Sequence, residues 1–250
     1  MIVLLLPLQL CAQATLTDTS RLGNYSYLIY GKTKTHCTVQ ATGFLVKTNK
    51  KTFLVTACHV INGWYYESFE KDGSYPDTLF LRLYSKINGQ PVFLPLDIRK
   101  LKNIKNDNDL PDVYFYPIDI PDNCLVYDLT TAVMTANPKD KLPKTVRVYG
   151  YRITTDSDTV SFDKLPVLKG SGVIINKDDY ACDPYTYKFH YNGSELGAGD
   201  SGAPVYFLYE EPHGRPRIAF GGLIFGGASG LQQALAIKPE IIQNMLASYY

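Results

Sequence analysis

One stretch, residues 197–204 with the sequence Gly-Ala-Gly-Asp-Ser-Gly-Ala-Pro, limits what this chain can fold into more than any other. It places Ser201 in a glycine-rich loop directly before the apolar run Val-Tyr-Phe-Leu at 205–208, which is typical of a β-strand. Glycine at position 199 allows the backbone to turn so that successive N–H groups face one point. A serine acts as a nucleophile only with a base beside it and donors aimed at the developing oxyanion. The stretch therefore predicts either a catalytic serine held against a rigid sheet or a plain glycine-rich turn.

Two features upstream favour the catalytic interpretation. His59 follows closely on an apolar strand that ends at residue 56, and Asp112 opens the strand Val-Tyr-Phe-Tyr. The three residues occur in the order His, Asp, Ser, with gaps of 53 and 89 residues. Asp107 and Asp109 are alternatives to Asp112, but both lie in a polar loop with no strand directly after them. Asp112 is therefore the preferred third member of a catalytic triad.

On these motifs the chain resembles the chymotrypsin-like (trypsin-like) serine peptidases, and within them the bacterial secreted branch, over roughly residues 36–246. The resemblance implies two six-stranded antiparallel β-barrels, with the active site in the cleft between them and a C-terminal helix. It implies that Ser201 is the nucleophile, that His59 is the general base, and that Asp112 orients His59 and stabilises its charged form. The backbone N–H groups of Gly199 and Ser201 would form the oxyanion hole.

The resemblance also implies where a substrate binds. Glu195, six residues before Ser201, would form the floor of the pocket for the side chain that precedes the cut bond. A carboxylate there would favour Lys or Arg in the substrate, and the alternative is that Glu195 faces solvent. Phe225, Gly226 and Gly227 resemble the segment that pairs with the substrate backbone as an added β-strand.

Asp200 precedes the candidate nucleophile. In the digestive branch of the family, this acid pairs with a new N-terminus that is exposed when a precursor is cleaved. The sequence has no activation site of the Arg-Ile-Val-Gly-Gly kind. We therefore expect Asp200 to bond locally and the enzyme to need only removal of a signal peptide; the alternative is a plain turn aspartate.

The composition favours an all-β protein without nucleic-acid binding. Tyrosine is abundant, with 20 residues in 250, and β-branched and aromatic residues recur in short runs. The 25 basic and 24 acidic residues form no basic stripe, so we expect no nucleic-acid partner. Residues 239–249 have apolar side chains at helical spacing after a first-turn proline, which predicts a C-terminal helix. The clearest predicted strands are 38–46, 52–56, 79–84, 92–96, 113–118, 146–151, 205–208, 217–225 and 233–237.

The first 14 residues predict a secretory signal peptide. A short apolar run is followed by Ala-Gln-Ala with cleavage after Ala14, although no Lys or Arg precedes the run. Cys11 permits a lipoprotein alternative, but the residues before it are not small. The run is about half as long as a membrane span requires. We expect a secreted or periplasmic protein without stable membrane insertion, made of an N-terminal barrel over 15–125 that carries His and Asp and a C-terminal barrel over 126–250 that carries Ser.

Four cysteines remain after such a cleavage: Cys37, Cys58, Cys124 and Cys182. They allow two disulfides in three possible pairings. The family resemblance implies a bridge between Cys37 and Cys58, but in the family the second cysteine follows the histidine, whereas Cys58 precedes it. A buried free thiol at Cys58 is the alternative. The histidines show no metal-ligand spacing and no Cys-x-x-Cys pair occurs, so we expect no metal and no cofactor.

These patterns together predict a secreted serine endopeptidase. It would hydrolyse peptide bonds in polypeptide substrates through a Ser-His-Asp triad and an acyl-enzyme intermediate, as a monomer. The alternative is a catalytically silent peptidase-like protein that binds peptides or partners in the cleft between the barrels.

Overall fold

The described part of the chain covers most of both predicted halves. The computed structural model describes residues 18–32, 38–63, 76, 78–98, 111–130, 141–152, 162–181, 183–192, 195–210 and 217–248. The predicted signal peptide lies outside the described residues, and so do Asp107, Asp109, Cys37 and Cys182.

The N-terminal half forms a curled sheet of eight strands. These are β1 (Tyr27–Lys32), β2 (Thr38–Lys47), β3 (Thr52–Thr56), β4 (Thr78–Ser85), β5 (Pro91–Asp97), β6 (Tyr114–Ile118), β7 (Cys124–Leu125) and β8 (Asp128–Thr130). The main path runs β5-β4-β1-β2-β3-β6, while β7 pairs with β4 and β8 pairs in parallel with β2. The two outer strands of this path approach each other where the Tyr116 hydroxyl donates to the Asp97 carbonyl at 3.3 Å. The sheet therefore curls until its first and last strands come within reach of one side chain.

The C-terminal half forms a closed six-stranded barrel. Its strands are β9 (Thr145–Gly150), β10 (Leu168–Val173), β11 (Thr186–Tyr191), β12 (Pro204–Tyr209), β13 (Arg217–Ala228) and β14 (Gln233–Ile237). They close in the order β10-β11-β14-β13-β12-β9, with every pair antiparallel. In β9 and β11 buried and part-exposed residues alternate, as expected where one face lines a core and the other faces water.

Strand β12, which directly follows the Ser201 loop, is buried on both faces. Val205 and Phe207 pack in the core of the C-terminal barrel, whereas Tyr206 and Leu208 pack in the core of the N-terminal sheet. A strand buried on both sides is an apolar run without alternation, as the sequence Val-Tyr-Phe-Leu is. Strand β12 therefore contributes side chains to the cores of both halves, and the loop before it is held close to both.

Three short helices complete the described structure. They are α1 (Cys58–Asn62), α2 (Lys177–Ala181) and α3 (Pro239–Ala247), with 3₁₀ turns at Thr19–Tyr25 and Ser229–Leu231. Helix α3 starts with a proline, which suits the first turn, and its Ile242 and Leu246 are fully buried in the N-terminal core. Within the described ranges, no helix has the length and apolar character that crossing a bilayer requires.

The predicted fold class is confirmed: the protein is mostly β, with two packed β units and a C-terminal helix. One detail differs, because the N-terminal unit is a curled eight-stranded sheet and not a six-stranded barrel, and no backbone ladder joins β5 to β6 among the described residues. None of the clearest predicted strands lies between residues 118 and 146. The structure places β7 and β8 there, and strands of two and three residues are too short to give a period-2 signal.

Candidate active site

Ser201 lies in a tight turn that leads into β12, and its side chain is half-buried. The Asp200 N–H donates to the Gly197 carbonyl at 3.1 Å, and the Ala203 N–H donates to the Asp200 carbonyl at 2.8 Å. Gly199 has a φ of 92°, a conformation that residues with a Cβ rarely adopt. The turn is thus closed by its own hydrogen bonds on both sides of the serine, and it depends on a glycine two residues before it.

Gly202 allows this turn to press against the N-terminal sheet. A Cβ at position 202 would lie 2.0 Å from the Thr42 carbonyl oxygen and 2.2 Å from Thr56 Oγ1. Thr56 ends β3, three residues before His59. Because residue 202 has no side chain, the Ser201 turn can pack directly against β2 and β3 of the other half, and β3 leads into His59.

The backbone around Ser201 is held from behind by Thr42 of β2. Thr42 Oγ1 donates to the Gly199 carbonyl at 2.8 Å, and the Thr42 N–H donates to the Ser201 carbonyl at 2.9 Å. Within the described part of the chain, the N–H groups of Gly199 and Ser201 themselves have no acceptor. Free donors on immobile backbone are what an oxyanion hole requires, so this geometry is compatible with the predicted role of these two residues.

His59 and Asp112 contact each other through two hydrogen bonds. The His59 backbone N–H donates to Asp112 Oδ1 at 2.9 Å, and His59 Nδ1 lies 2.6 Å from Asp112 Oδ2. Both residues are buried, with 5% and 7% of their surface exposed. They meet because β3 and β6 are antiparallel neighbours, with Thr56 opposite Tyr114. A carboxylate at this position keeps a proton on Nδ1, which leaves Nε2 as the ring nitrogen that can act as a base.

Asp200 forms a buried ion pair with Arg152. Arg152 Nε lies 2.9 Å from Asp200 Oδ2, which also accepts the Gly197 N–H at 2.9 Å. Asp200 is only 1% exposed, and this burial raises the pKa of its carboxyl, while the Arg152 charge acts in the opposite direction. A Cβ at Gly150 would lie 2.2 Å from Asp200 Oδ1, so the end of β9 must be glycine for the carboxylate to fit. The expected local bonding of Asp200 is present in its hydrogen bond with the Gly197 N–H. Its cationic partner, Arg152, lies 48 residues earlier in the chain.

A cavity of about 260 Å³ opens beside Ser201. Its walls are the Ser201 turn, three residues of β13 (Ile224, Gly226 and Gly227), the start of β14, and the residues Tyr191 and Leu196. Of the predicted substrate-binding residues, Gly226 and Gly227 line this cavity, whereas Phe225 and Glu195 do not. The cavity is therefore the place beside the candidate nucleophile where a substrate side chain could enter.

The Glu195 side chain contacts the backbone of β10 and does not form the floor of the cavity. Its Oε2 accepts the backbone N–H of Ser171, in β10, at 2.7 Å. The Glu195 carbonyl oxygen also packs at Gly170, where an added Cβ would lie only 2.6 Å away. This corrects the placement of Glu195 at the pocket floor: counting six residues back along an irregular loop does not show which wall a side chain reaches.

The end of β13 offers a free strand edge next to the cavity. Pairing of β13 with β12 ends at Leu223, and the Ile224 N–H still donates to the Ala203 carbonyl at 3.0 Å. Beyond that point β13 pairs only with β14 among the described residues. Residues 225–227 thus have one edge without a strand partner among the described residues, which is the geometry that β-strand addition by a peptide requires.

Cys58 and Cys124 are both free and buried. Burial, helped by the nearby Asp112 charge, raises the pKa of the Cys58 thiol to about 12, so the group is neutral at physiological pH. The Asn62 side-chain amide donates to Cys58 Sγ at 3.6 Å. The structure thus favours the free-thiol alternative for Cys58 over the bridge that the family resemblance implies, because Cys58 turns into the interior at the start of α1. No cluster of His, Cys, Asp or Glu that could hold a metal occurs in the described ranges.

Comparison with known proteins identifies the fold. No protein-family model matches the sequence, and no curated protein matches it. The structure is similar to that of a serine endoprotease from Yersinia pestis, with 14% identity and a TM-score of 0.51, over 92% of this chain and 64% of that chain. The Rv3671c protease from M. tuberculosis in its active form matches with 15% identity and a TM-score of 0.45, over 91% of this chain and 82% of that one. The thermostable serine protease AL20 from an extremophilic microorganism matches with 12% identity and a TM-score of 0.46, over 91% and 98% of the two chains.

This chain thus spans 64% of the length of the Yersinia protein. The likeness to that structure agrees with the architecture described above, a closed barrel and a curled sheet that meet at β12. The protein has the chymotrypsin-like serine protease fold.

Proposed function

We propose that this protein is a serine endopeptidase that cleaves polypeptides with Ser201, His59 and Asp112 as its catalytic triad. The observation that carries the proposal is the buried His59–Asp112 pair, which lies at the ends of strands against which the Ser201 turn is packed. The leader-like sequence of residues 1–14 supports the further proposal that the enzyme is secreted or periplasmic.

The geometry supports a two-step acyl transfer. Ser201 Oγ attacks the carbonyl carbon of the scissile bond while His59 Nε2 takes the hydroxyl proton, and Asp112 stabilises the imidazolium that results. The N–H groups of Gly199 and Ser201 donate to the oxyanion of the tetrahedral intermediate. His59 then gives its proton to the leaving amine, which departs and leaves an ester on Ser201. A water molecule, deprotonated by His59, attacks the carbonyl carbon of that ester. His59 then returns the proton to Ser201 Oγ as the bond to the serine breaks and the carboxylic acid product leaves.

The ion pair between Asp200 and Arg152 supports activity without a precursor cleavage. In this chain the acid before the nucleophile already has a buried cation as its partner, at 2.9 Å. The turn therefore does not depend on a newly exposed N-terminal amine for its charge balance. We propose that the protein is active once any leader has been removed.

Ser201→Ala is expected to abolish peptidase activity while leaving the fold intact. Removing the nucleophile of a Ser-His-Asp triad costs about 10⁶-fold in kcat, and the smaller alanine fits the half-buried position. Hydrolysis of fluorescently labelled casein measures the loss, and near-UV circular dichroism monitors the fold. Ser248→Ala, a change of the same kind at an exposed position at the end of α3, is the control and should keep full activity. Equal casein hydrolysis by the two variants would contradict the proposal, and an inactive wild type that still binds peptides would favour the silent, peptide-binding alternative.

A further inference from the structure

We infer that this protein cleaves after an uncharged apolar residue of the leucine, methionine or phenylalanine class, whose side chain binds in the cavity beside Ser201. The inference rests on the proposed peptidase function and deepens it. It replaces the preference for Lys or Arg that the sequence position of Glu195 suggests.

The walls of the cavity are mainly apolar. Tyr191 and Ala234 of β11 and β14 are buried, as is Ile224 of β13, and Leu196 is half-buried on the loop before the Ser201 turn. Gln233 adds an uncharged amide. An apolar side chain that enters such a site leaves water and gains contacts with the walls, which is the main source of affinity for a side-chain pocket.

No residue of the cavity wall that the structure describes offers an available counter-ion to a charged substrate residue. Among the described residues that line it, Asp200 has the only carboxylate, and one oxygen of that group is already bound to Arg152 and to the Gly197 N–H. The other oxygen is directed at the end of β9, where a Cβ on Gly150 would lie 2.2 Å away. A Lys, Arg or Glu side chain would therefore be buried without a partner, which is costly.

Glu195 does not supply the missing charge. It is absent from the cavity walls, and its carboxylate accepts the Ser171 N–H at 2.7 Å on the β10 side of the loop. Turning this carboxylate into the cavity would break that hydrogen bond and leave the half-buried Ser171 N–H without this acceptor.

Gly226 sets how large the accepted side chain can be. It lines the cavity, its φ is not in the left-handed region, and a Cβ added to it would meet nothing within 4 Å. At Gly227, in contrast, a Cβ would lie 2.7 Å from the Gln233 carbonyl oxygen. The volume of about 260 Å³ lies just below the range of roughly 300–1,000 Å³ that is usual for small-molecule pockets, which suits one leucine or aromatic side chain. Gly226 is therefore the position at which a side chain would narrow the site without disturbing the protein.

A series of fluorogenic peptides that differ only in the residue before the cut bond tests the inference. The series contains Leu, Met, Phe, Ala, Lys, Arg and Glu, and a fluorophosphonate titration gives the concentration of active enzyme. We expect kcat/KM for Leu, Met and Phe to exceed the values for Lys, Arg and Glu by about 100-fold or more.

Gly226→Val and Gly230→Val form a matched pair. Both glycines have open space where the new Cβ would lie, but Gly230 is in the exposed turn after β13 and does not line the cavity. Gly226→Val should lower kcat/KM for the Phe and Leu peptides by about 10- to 100-fold relative to the Ala peptide, while Gly230→Val should keep the wild-type order. An unchanged preference in Gly226→Val would show that the substrate side chain does not enter this cavity.

The remaining outcomes separate this inference from the proposed function. If the enzyme reacts with the fluorophosphonate but prefers Lys or Arg, and loses that preference in Glu195→Gln, the peptidase function stands and the inference is wrong. If the folded protein neither reacts with the fluorophosphonate nor cleaves any peptide, the proposed function fails and the inference fails with it.

Discussion

Asp112→Asn is expected to lower kcat about 10⁴-fold, the loss measured for the same change in another Ser-His-Asp triad. The asparagine can still accept the His59 backbone N–H with its oxygen, in place of Asp112 Oδ1 at 2.9 Å. Its NH₂ group then faces His59 Nδ1, so that this nitrogen must accept a hydrogen bond and the ring proton moves to Nε2. A histidine in that tautomer cannot take the proton of Ser201, although every side chain stays in place.

Steady-state kinetics on one peptide substrate measures this effect, with the unfolding midpoint in urea as the test of the fold. Asp122→Asn, at an exposed position in the loop before β7, is the control and should leave kcat unchanged. More than about a tenth of wild-type kcat in Asp112→Asn would mean that this carboxylate does not orient the base. Asp107 and Asp109 would then be the candidates for the carboxylate of the triad.

Arg152→Met is expected to destabilise the protein by about 3–5 kcal/mol at pH 7, because it leaves the Asp200 carboxylate buried without its cationic partner. Methionine keeps most of the apolar volume of the arginine stem, so the lost charge accounts for most of the effect. Because Asp200 adjoins Ser201, the same change should also lower kcat.

The loss of stability in Arg152→Met is expected to change with pH in one direction. Burial raises the pKa of Asp200 above its ordinary value of 3.8, and removing Arg152 removes the charge that opposes this shift. Between 3.8 and the raised value, the native state binds more protons than the unfolded state, so the free energy of unfolding rises as the pH falls through that window. The deficit of Arg152→Met relative to the wild type should therefore shrink as the pH is lowered from 7 towards 4.

Urea unfolding at pH 7 and at pH 4.5 measures both effects. Arg21→Met, at a side chain that is 75% exposed, is the control and should change the stability by less than about 0.5 kcal/mol. Adding Asp200→Asn to Arg152→Met should recover part of the lost stability, because it removes the unpaired charge. A deficit in Arg152→Met that is below 1 kcal/mol, or that grows as the pH falls, would contradict the account of this ion pair.

The strands were largely predictable because their signals are local. The predicted segments 52–56 and 233–237 coincide with β3 and β14, and the C-terminal helix begins at Pro239 as its spacing indicates. Period-2 alternation and a proline in the first turn depend only on neighbouring residues. The pairing between β2 and β8 depends on residues about 80 positions apart, and β8 has only three residues, so no local pattern reveals it.

In the candidate site, too, residues with a local sequence signal could be predicted and residues without one could not. His59, Asp112 and Ser201 could be chosen from their order and from the strands beside them, and the structure places the first two in contact. Thr42 and Arg152 were missed, since a threonine within a strand and an arginine after one carry no signal of their own. Their roles arise from contacts with residues 157 and 48 positions away, respectively. Glu195 was misplaced for the related reason that its partner, Ser171, belongs to another strand.

The central claim is that Ser201 is a nucleophile activated by His59, and fluorophosphonate labelling tests it most directly. The purified protein is treated with the probe, and the adduct is identified by intact mass and peptide mapping. We expect a single adduct on Ser201 that does not form in folded His59→Ala. No adduct on the folded wild type, an adduct on another residue, or equal labelling of Ser201 in His59→Ala would contradict it.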